Sequence, residues 1–124
     1  MRSGKRGFTL LELMVVLALV GLLAAVAAPV ATRAIHNAKE AALKENLTQL
    51  RKAVDDYYAD HGRYPERLQR LVEARYLRRV PADPLTGRAD SWVEVPFDGP
   101  GGGVFDVRSG EPGRSRDGQA YSEW

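Results

Sequence analysis

The sequence contains no cysteine and only two histidines among its 124 residues. The lack of cysteine excludes disulfide bonds, thiol catalysis and zinc sites built from cysteine. Neither His36 nor His61 belongs to a recognisable group of acid, base or metal-binding residues, and the glycines at 101–103 lack the lysine of a phosphate-binding loop. The sequence therefore predicts a protein that is not an enzyme, although a membrane-tethered enzyme remains an open alternative.

Charged residues are almost absent from residues 8–28, where Thr9 and Glu12 are the only clearly polar side chains. As an α-helix, a segment of this length covers roughly 31 Å, which matches the hydrocarbon core of a bilayer. The preceding leader, residues 1–7, carries three basic residues, and basic residues beside a first span stay in the cytoplasm. We therefore predict a single membrane span with a cytoplasmic N-terminus and an exported remainder.

The small basic excess of the chain belongs to this leader. The formal net charge is +2, from 18 Lys and Arg against 16 Asp and Glu. Without the three basic residues of the leader, 15 basic side chains remain against the same 16 acidic ones. The composition therefore gives no indication of nucleic-acid binding.

Beyond the apolar run the hydrophobic pattern becomes periodic. Apolar residues recur at steps of three and four: Ile35, Ala38, Ala42, Leu43, Leu47, Leu50, Val54 and Tyr57. We therefore expect one long helix from about residue 8 to residue 60, in which residues 29–60 form an amphipathic half. Pro29 lies inside this helix and should bend or loosen it, because proline lacks the N–H that the helix requires.

Residues 61–124 are predicted to form a small head. Gly62 and Pro65 end the long helix, and a short second helix is expected over residues 65–76. Two strands at 92–95 and 104–107, joined by a glycine-rich loop, indicate an antiparallel hairpin. The predicted fold class is therefore α+β, with the long helix packed on a small sheet.

The tail, residues 109–124, is rich in glycine, serine and charged residues. Such a composition predicts a loop rather than a helix or strand. We expect Tyr121 and Trp124 to pack back on the head and to close this loop.

The junction of leader and apolar run carries the most informative motif. Gly7 ends the leader, the aromatic Phe8 begins the run, and Glu12 follows four residues later. This pattern resembles the type III signal of type IV pilins and pseudopilins. The resemblance implies cleavage after Gly7 by a prepilin peptidase, followed by methylation of the new amino group on Phe8.

Glu12 needs a partner, because a carboxylate in the hydrocarbon region costs about 2.5–3.5 kcal/mol near the centre of a bilayer and less near its edge. Cleavage before Phe8 would create a cationic amine at nearly the same depth. Pairing of Glu12 with this amine on a neighbouring subunit would neutralise the charge and set the stagger of packed helices. The resemblance implies the same pairing.

The resemblance extends over nearly the whole chain, and it is to the major, G-type pseudopilin of type II secretion. The residues that carry it beyond the signal are Pro29, Gly62 to Pro65, Leu68, Leu71, Asp83, Pro84, Asp106, Ser109, Asp117 and Gly118. It implies a type IV pilin-like fold, with Glu12 and Pro29 as assembly residues. It also implies a filament subunit that polymerises from the inner membrane and drives the export of folded proteins across the outer membrane.

The partners implied by the resemblance are further copies of the chain, other pseudopilins, the prepilin peptidase, an inner-membrane assembly platform and membrane lipid. The head would then lie in the periplasm. A type IV or competence pilin, acting in adhesion or DNA uptake, remains the alternative. A cleaved secretory signal ending in Ala25 and Ala27 and a plain membrane anchor for an unrelated domain are two further alternatives.

The resemblance also implies a calcium ion in the C-terminal loop. Asp117 is the best side-chain ligand there, with Ser109 and backbone carbonyls nearby. The segment is poor in carboxylates, although calcium prefers six to eight oxygen ligands. Asp117 and the following glycine would otherwise form only a turn.

Overall fold

The computed structural model describes residues 7–124 of the chain. The rest of the predicted leader, residues 1–6 with their three basic side chains, lies outside the described residues. The chain divides into two compact units, Met1–Asn37 and Ala38–Trp124. The predicted boundaries within the long helix, at residues 28 and 60, remain predictions.

The long helix α1 spans Leu10–His61, close to the predicted residues 8–60. It continues across Pro29, and the bend expected there remains a prediction. The helix ends at His61, and the next residue, Gly62, has a left-handed φ of 69°, which favours glycine. The N–H of Gly62 still donates to the carbonyl of Tyr58 at 2.8 Å.

The first unit leaves its apolar side chains exposed. Within α1, an 18-residue window has a mean hydropathy of 2.7, and none of it is buried. By length and composition this helix is able to cross a membrane.

The second helix, α2, spans only Leu68–Glu73, so the prediction of a helix over residues 65–76 was wrong at both ends. Arg67 is extended and its side chain does not cap the helix. Instead, Glu94 accepts a hydrogen bond from the N–H of Leu68 at 3.0 Å. At the other end Arg75 adopts a φ of 66°, which terminates the helix.

The sheet has two antiparallel strands, β1 (Val93–Pro96) and β2 (Val104–Arg108), near the predicted positions. The register pairs Val93 with Arg108 and shifts between Val95 and Pro96, where a bulge occurs. The hairpin approaches the start of the head closely. A side chain at Gly103 would lie within 2.9 Å of the backbone oxygen of Pro65, so glycine is required there.

One hydrophobic core holds the second unit together. Its buried members are Leu43, Leu47, Leu50, Ala53, Val54, Tyr57, Leu68, Leu71, Trp92, Val104, Val107 and Tyr121. These residues come from α1, α2, the residue before β1, strand β2 and the tail, which confirms the α+β prediction. Burial along the predicted apolar stripe of α1 begins at Leu43, whereas its first members Ile35, Ala38 and Ala42 are exposed.

The tail is mostly loop, with a 3-10 helix at Tyr121–Glu123. Tyr121 is buried, and its ring packs edge-on against Trp124 with the ring centroids 5.0 Å apart. The prediction that these two aromatic residues close the tail on the head is therefore confirmed.

Candidate functional site

The predicted processing site lies just before α1. Gly7 and Phe8 have no helical or strand structure, and the side chain of Phe8 is 84% exposed. A side chain at Gly7 would meet nothing within 4 Å. The bond between the two residues is therefore accessible, as cleavage by a peptidase requires.

Thr9 starts the helix, a role that the sequence analysis missed. Its hydroxyl oxygen accepts a hydrogen bond from the backbone N–H of Glu12 at 3.0 Å, and its carbonyl accepts one from Leu13 at 3.1 Å. The signal was present in the sequence, since threonine followed three residues later by glutamate is the capping-box pattern. The cap leaves Phe8 immediately outside the helix.

Glu12 occupies the first turn of α1, where the helix dipole favours a carboxylate. Gly7, Phe8, Thr9 and Glu12 line the same shallow surface cleft. The candidate processing residues and the candidate assembly carboxylate are therefore neighbours in space. Glu12 thus has two candidate roles, in capping its own helix and in pairing with an amine, and these can be separated by experiment.

The two predicted calcium ligands have different surroundings. Ser109 is 1% exposed, and its hydroxyl donates to Oδ2 of the fully buried Asp83 at 2.5 Å. Asp117 is exposed, in a turn closed by a 2.9 Å bond from the N–H of Gly118 to the carbonyl of Ser115. Within residues 7–124, no three histidine or acidic residues form a group able to hold a metal ion. Ser109 and Asp117 therefore do not fit the calcium site that the resemblance implies.

Asp83 is a structural residue that sequence reasoning noted only as part of a resemblance. Its Oδ1 accepts hydrogen bonds from the N–H of Leu85 at 2.8 Å and of Thr86 at 3.4 Å. Its other oxygen holds Ser109, 26 residues further along the chain. The Asp-Pro dipeptide is a turn signal that predicts the first contacts, but nothing local predicts the contact with Ser109.

Comparison with known proteins supports the importance of the N-terminal motif. Residues 2–28 match the family described as the prokaryotic N-terminal methylation motif. The match includes Gly7, Phe8 and Glu12, together with the whole apolar run.

Over 53–69% of its length the chain is similar to secretion and pilin proteins. The chain is 36% identical to the type II secretion system core protein G of Klebsiella michiganensis over 102 residues, covering 69% of this chain and 72% of that protein. It is 34% identical to the protein of the same name from Escherichia coli K12, covering 64% and 66%. It is 41% identical to the type IV major pilin protein PilE1 of Neisseria gonorrhoeae, but over only 53% of this chain and 40% of that protein. No solved structure matches the chain.

Proposed function

The chain belongs to the family of the type II secretion system core protein G, and from this premise we propose that it is a structural subunit of the secretion pseudopilus. It polymerises from the inner membrane, and growth of the filament drives folded proteins across the outer membrane. The relatives in this family are structural subunits and not enzymes, which agrees with the absence of a catalytic motif in the sequence.

The exposed apolar half of α1 is the observation that carries this proposal. An 18-residue stretch of strong hydropathy buries none of its surface in the chain itself, although burial of apolar surface is the main force that stabilises proteins in water. Lipid covers this surface before assembly, and in the filament a different face of the apolar helix of a neighbouring subunit covers it. Such head-to-tail contacts do not close on themselves, so they build an open helical assembly.

The residues at the start of α1 would prepare the subunit for assembly. A prepilin peptidase cuts between Gly7 and Phe8 and methylates the amino group of Phe8. Glu12 then pairs with the Phe8 amine of a neighbouring subunit, which removes an uncompensated charge from the apolar environment. Pro29 loosens the helix where it leaves the membrane.

The proposed topology follows from the positive charges of the leader. The N-terminus is cytoplasmic before processing, α1 crosses the inner membrane once, and the head lies in the periplasm. The partners are then further copies of the chain, other pseudopilins, an inner-membrane assembly platform and lipid.

A type IV or competence pilin is the second candidate function, because the chain is also similar to PilE1. That similarity covers a smaller share of both chains than the similarity to the core protein G sequences. Pilins and pseudopilins share the exposed apolar helix, so this feature alone does not separate the two functions.

Deletion of the gene in its own host separates them. We expect loss of secreted folded enzymes from the medium, with their accumulation in the periplasm, while surface adhesion and DNA uptake stay normal. Expression of the intact chain from a plasmid should restore secretion, and expression of a chain without residues 8–28 is the negative control. Normal secretion together with loss of adhesion or DNA uptake would show that the chain is a pilin.

A further inference from the structure

Three side chains on one face of α1 contact the C-terminal end of the chain. Glu40, Lys44 and Arg51 are spaced by four and seven residues, which places them along one side of the helix. Their partners are Tyr121 and Trp124, together with strand β2. We call this set of contacts the C-terminal latch.

Arg51 makes the central contacts of the latch. Its Nε donates to Oδ1 of Asp106 at 2.9 Å, and one terminal nitrogen donates to the carbonyl of Val107 at 2.9 Å and to a backbone oxygen of Trp124 at 2.6 Å. The planar guanidinium has five donors in a fixed arrangement, so it can join several acceptors at once. One half-buried side chain therefore ties α1 to β2 and to the C-terminal segment.

The aromatic residues supply the rest of the latch. The phenol of Tyr121 donates to Oε1 of Glu40 at 2.7 Å, and its ring belongs to the hydrophobic core. The ammonium of Lys44 lies 4.7 Å from the centroid of the Trp124 ring, within the range of a cation–π interaction.

The other end of the tail is also fixed by protein groups. The hydrogen bond from Ser109 to Asp83 joins two buried side chains, so the first residue of the tail is anchored inside the head. Between the two anchors, the guanidinium of Arg114 donates to the carbonyl of Gly118 at 2.8 Å. A cationic side chain therefore binds a backbone oxygen in the same loop as Asp117, which opposes binding of a divalent cation there.

We infer that the C-terminal loop of this chain is closed without a metal ion, by the Arg51 latch at its end and by the Asp83–Ser109 contact at its start. The tail is too poor in apolar residues to order itself by burial alone, so it needs such anchors. The inference goes beyond the proposed function, because it concerns the stability of the head and holds for a pilin as well as for a pseudopilin.

The first test uses the full chain in nonionic detergent and follows thermal unfolding by the fluorescence of Trp92 and Trp124. We expect the same Tm in the presence of calcium and in the presence of the chelator EGTA. A Tm that rises with calcium, or calcium binding detected by isothermal titration and lost in Asp117→Ala, would overturn the inference.

The second test measures trypsin cleavage after the exposed Arg114 and Arg116 by mass spectrometry. Arg51→Met should raise the cleavage rate at least roughly tenfold, because it removes three hydrogen bonds to a charged group. Lys52→Met is the matched control, since Lys52 is exposed and its partner is Asp56, and it should leave the rate unchanged. An unchanged rate in Arg51→Met would overturn the inference.

Two milder variants keep the test decisive if Arg51→Met fails to fold. Arg51→Lys keeps the charge but loses the planar arrangement of donors, so cleavage should remain accelerated. Lys44→Met removes only the cation above Trp124 and should have a smaller effect than Arg51→Lys. Wild-type cleavage rates in Arg51→Lys would show that the geometry of the latch is unimportant and would contradict the inference.

Discussion

The phenol of Tyr121 and the carboxylate of Glu40 form a 2.7 Å hydrogen bond across 81 residues of sequence. Tyr121 is 4% exposed. Burial, together with the hydrogen bond to Glu40, raises the pKa of Tyr121 from 10.0 to about 12. The protonated phenol is therefore favoured in the folded head.

The stability of the head should depend on this proton. Because the folded pKa lies above the unfolded value, the contribution of Tyr121 is fully present below pH 10 and is lost as the pH rises through about 12. Tyr121→Phe should weaken the fall in unfolding free energy between pH 9 and pH 12, measured by urea denaturation. Tyr58→Phe is the control, because Tyr58 is 44% exposed. Equal pH profiles for wild type and Tyr121→Phe would contradict this assignment.

Along α1, replacing an apolar side chain by alanine should lower the unfolding free energy only from Leu43 onwards. Leu50 is fully buried, so Leu50→Ala should lower the unfolding free energy of the head by about 2–5 kcal/mol. Ile35 is 60% exposed, so Ile35→Ala should change it by less than about 0.5 kcal/mol. Urea denaturation in detergent, followed by tryptophan fluorescence, measures both. A large effect of Ile35→Ala would mean that the apolar stripe is buried from its start.

The processing site predicts which residue is the N-terminus of the protein after cleavage. Mass spectrometry of the protein from cells with prepilin peptidase should find Phe8 as the first residue, with a methylated amino group. Gly7→Val should block cleavage without affecting the fold, because a side chain at this position meets nothing within 4 Å. Gly21→Val, whose added side chain is equally unobstructed, is the control and should be processed normally. A product beginning near Ala28 would instead indicate an ordinary secretory signal.

The two candidate roles of Glu12 can be separated by comparing substitutions. Glu12→Gln keeps the capping-box pattern with Thr9 but removes the charge that pairs with the Phe8 amine. If pairing is the role, both Glu12→Gln and Glu12→Ala should reduce filament yield at least about tenfold, since loss of one partner leaves an uncompensated charge. Membrane insertion should remain normal, because removal of a charge from lipid favours insertion.

The control for this series is Glu45→Ala, which removes an exposed carboxylate from the amphipathic half of α1. It should leave filament yield unchanged, as measured by electron microscopy of sheared filaments. Normal assembly of Glu12→Gln together with a defect in Glu12→Ala would assign capping, and not pairing, to Glu12.

The sequence by itself determined the features that depend on neighbouring residues. The apolar run, the helix that continues from it, the stop at Gly62 and the glycine-rich hairpin are all local patterns, and α1, β1 and β2 lie close to their predicted positions. The N-terminal motif is equally local, because Gly7, Phe8 and Glu12 lie within one short segment. Local signals suffice where backbone geometry and hydrophobic period set the structure.

Only the tertiary structure decided which side chains are brought together over long distances. Leu68 begins α2 because Glu94, 26 residues further along the chain, accepts its N–H. The apolar period of α1 does not distinguish the exposed Ile35 from the buried Leu43, because burial depends on where the rest of the head covers the helix. The bonds from Arg51 to Trp124 and from Ser109 to Asp83 likewise depend on how separate segments pack, and no local pattern encodes them.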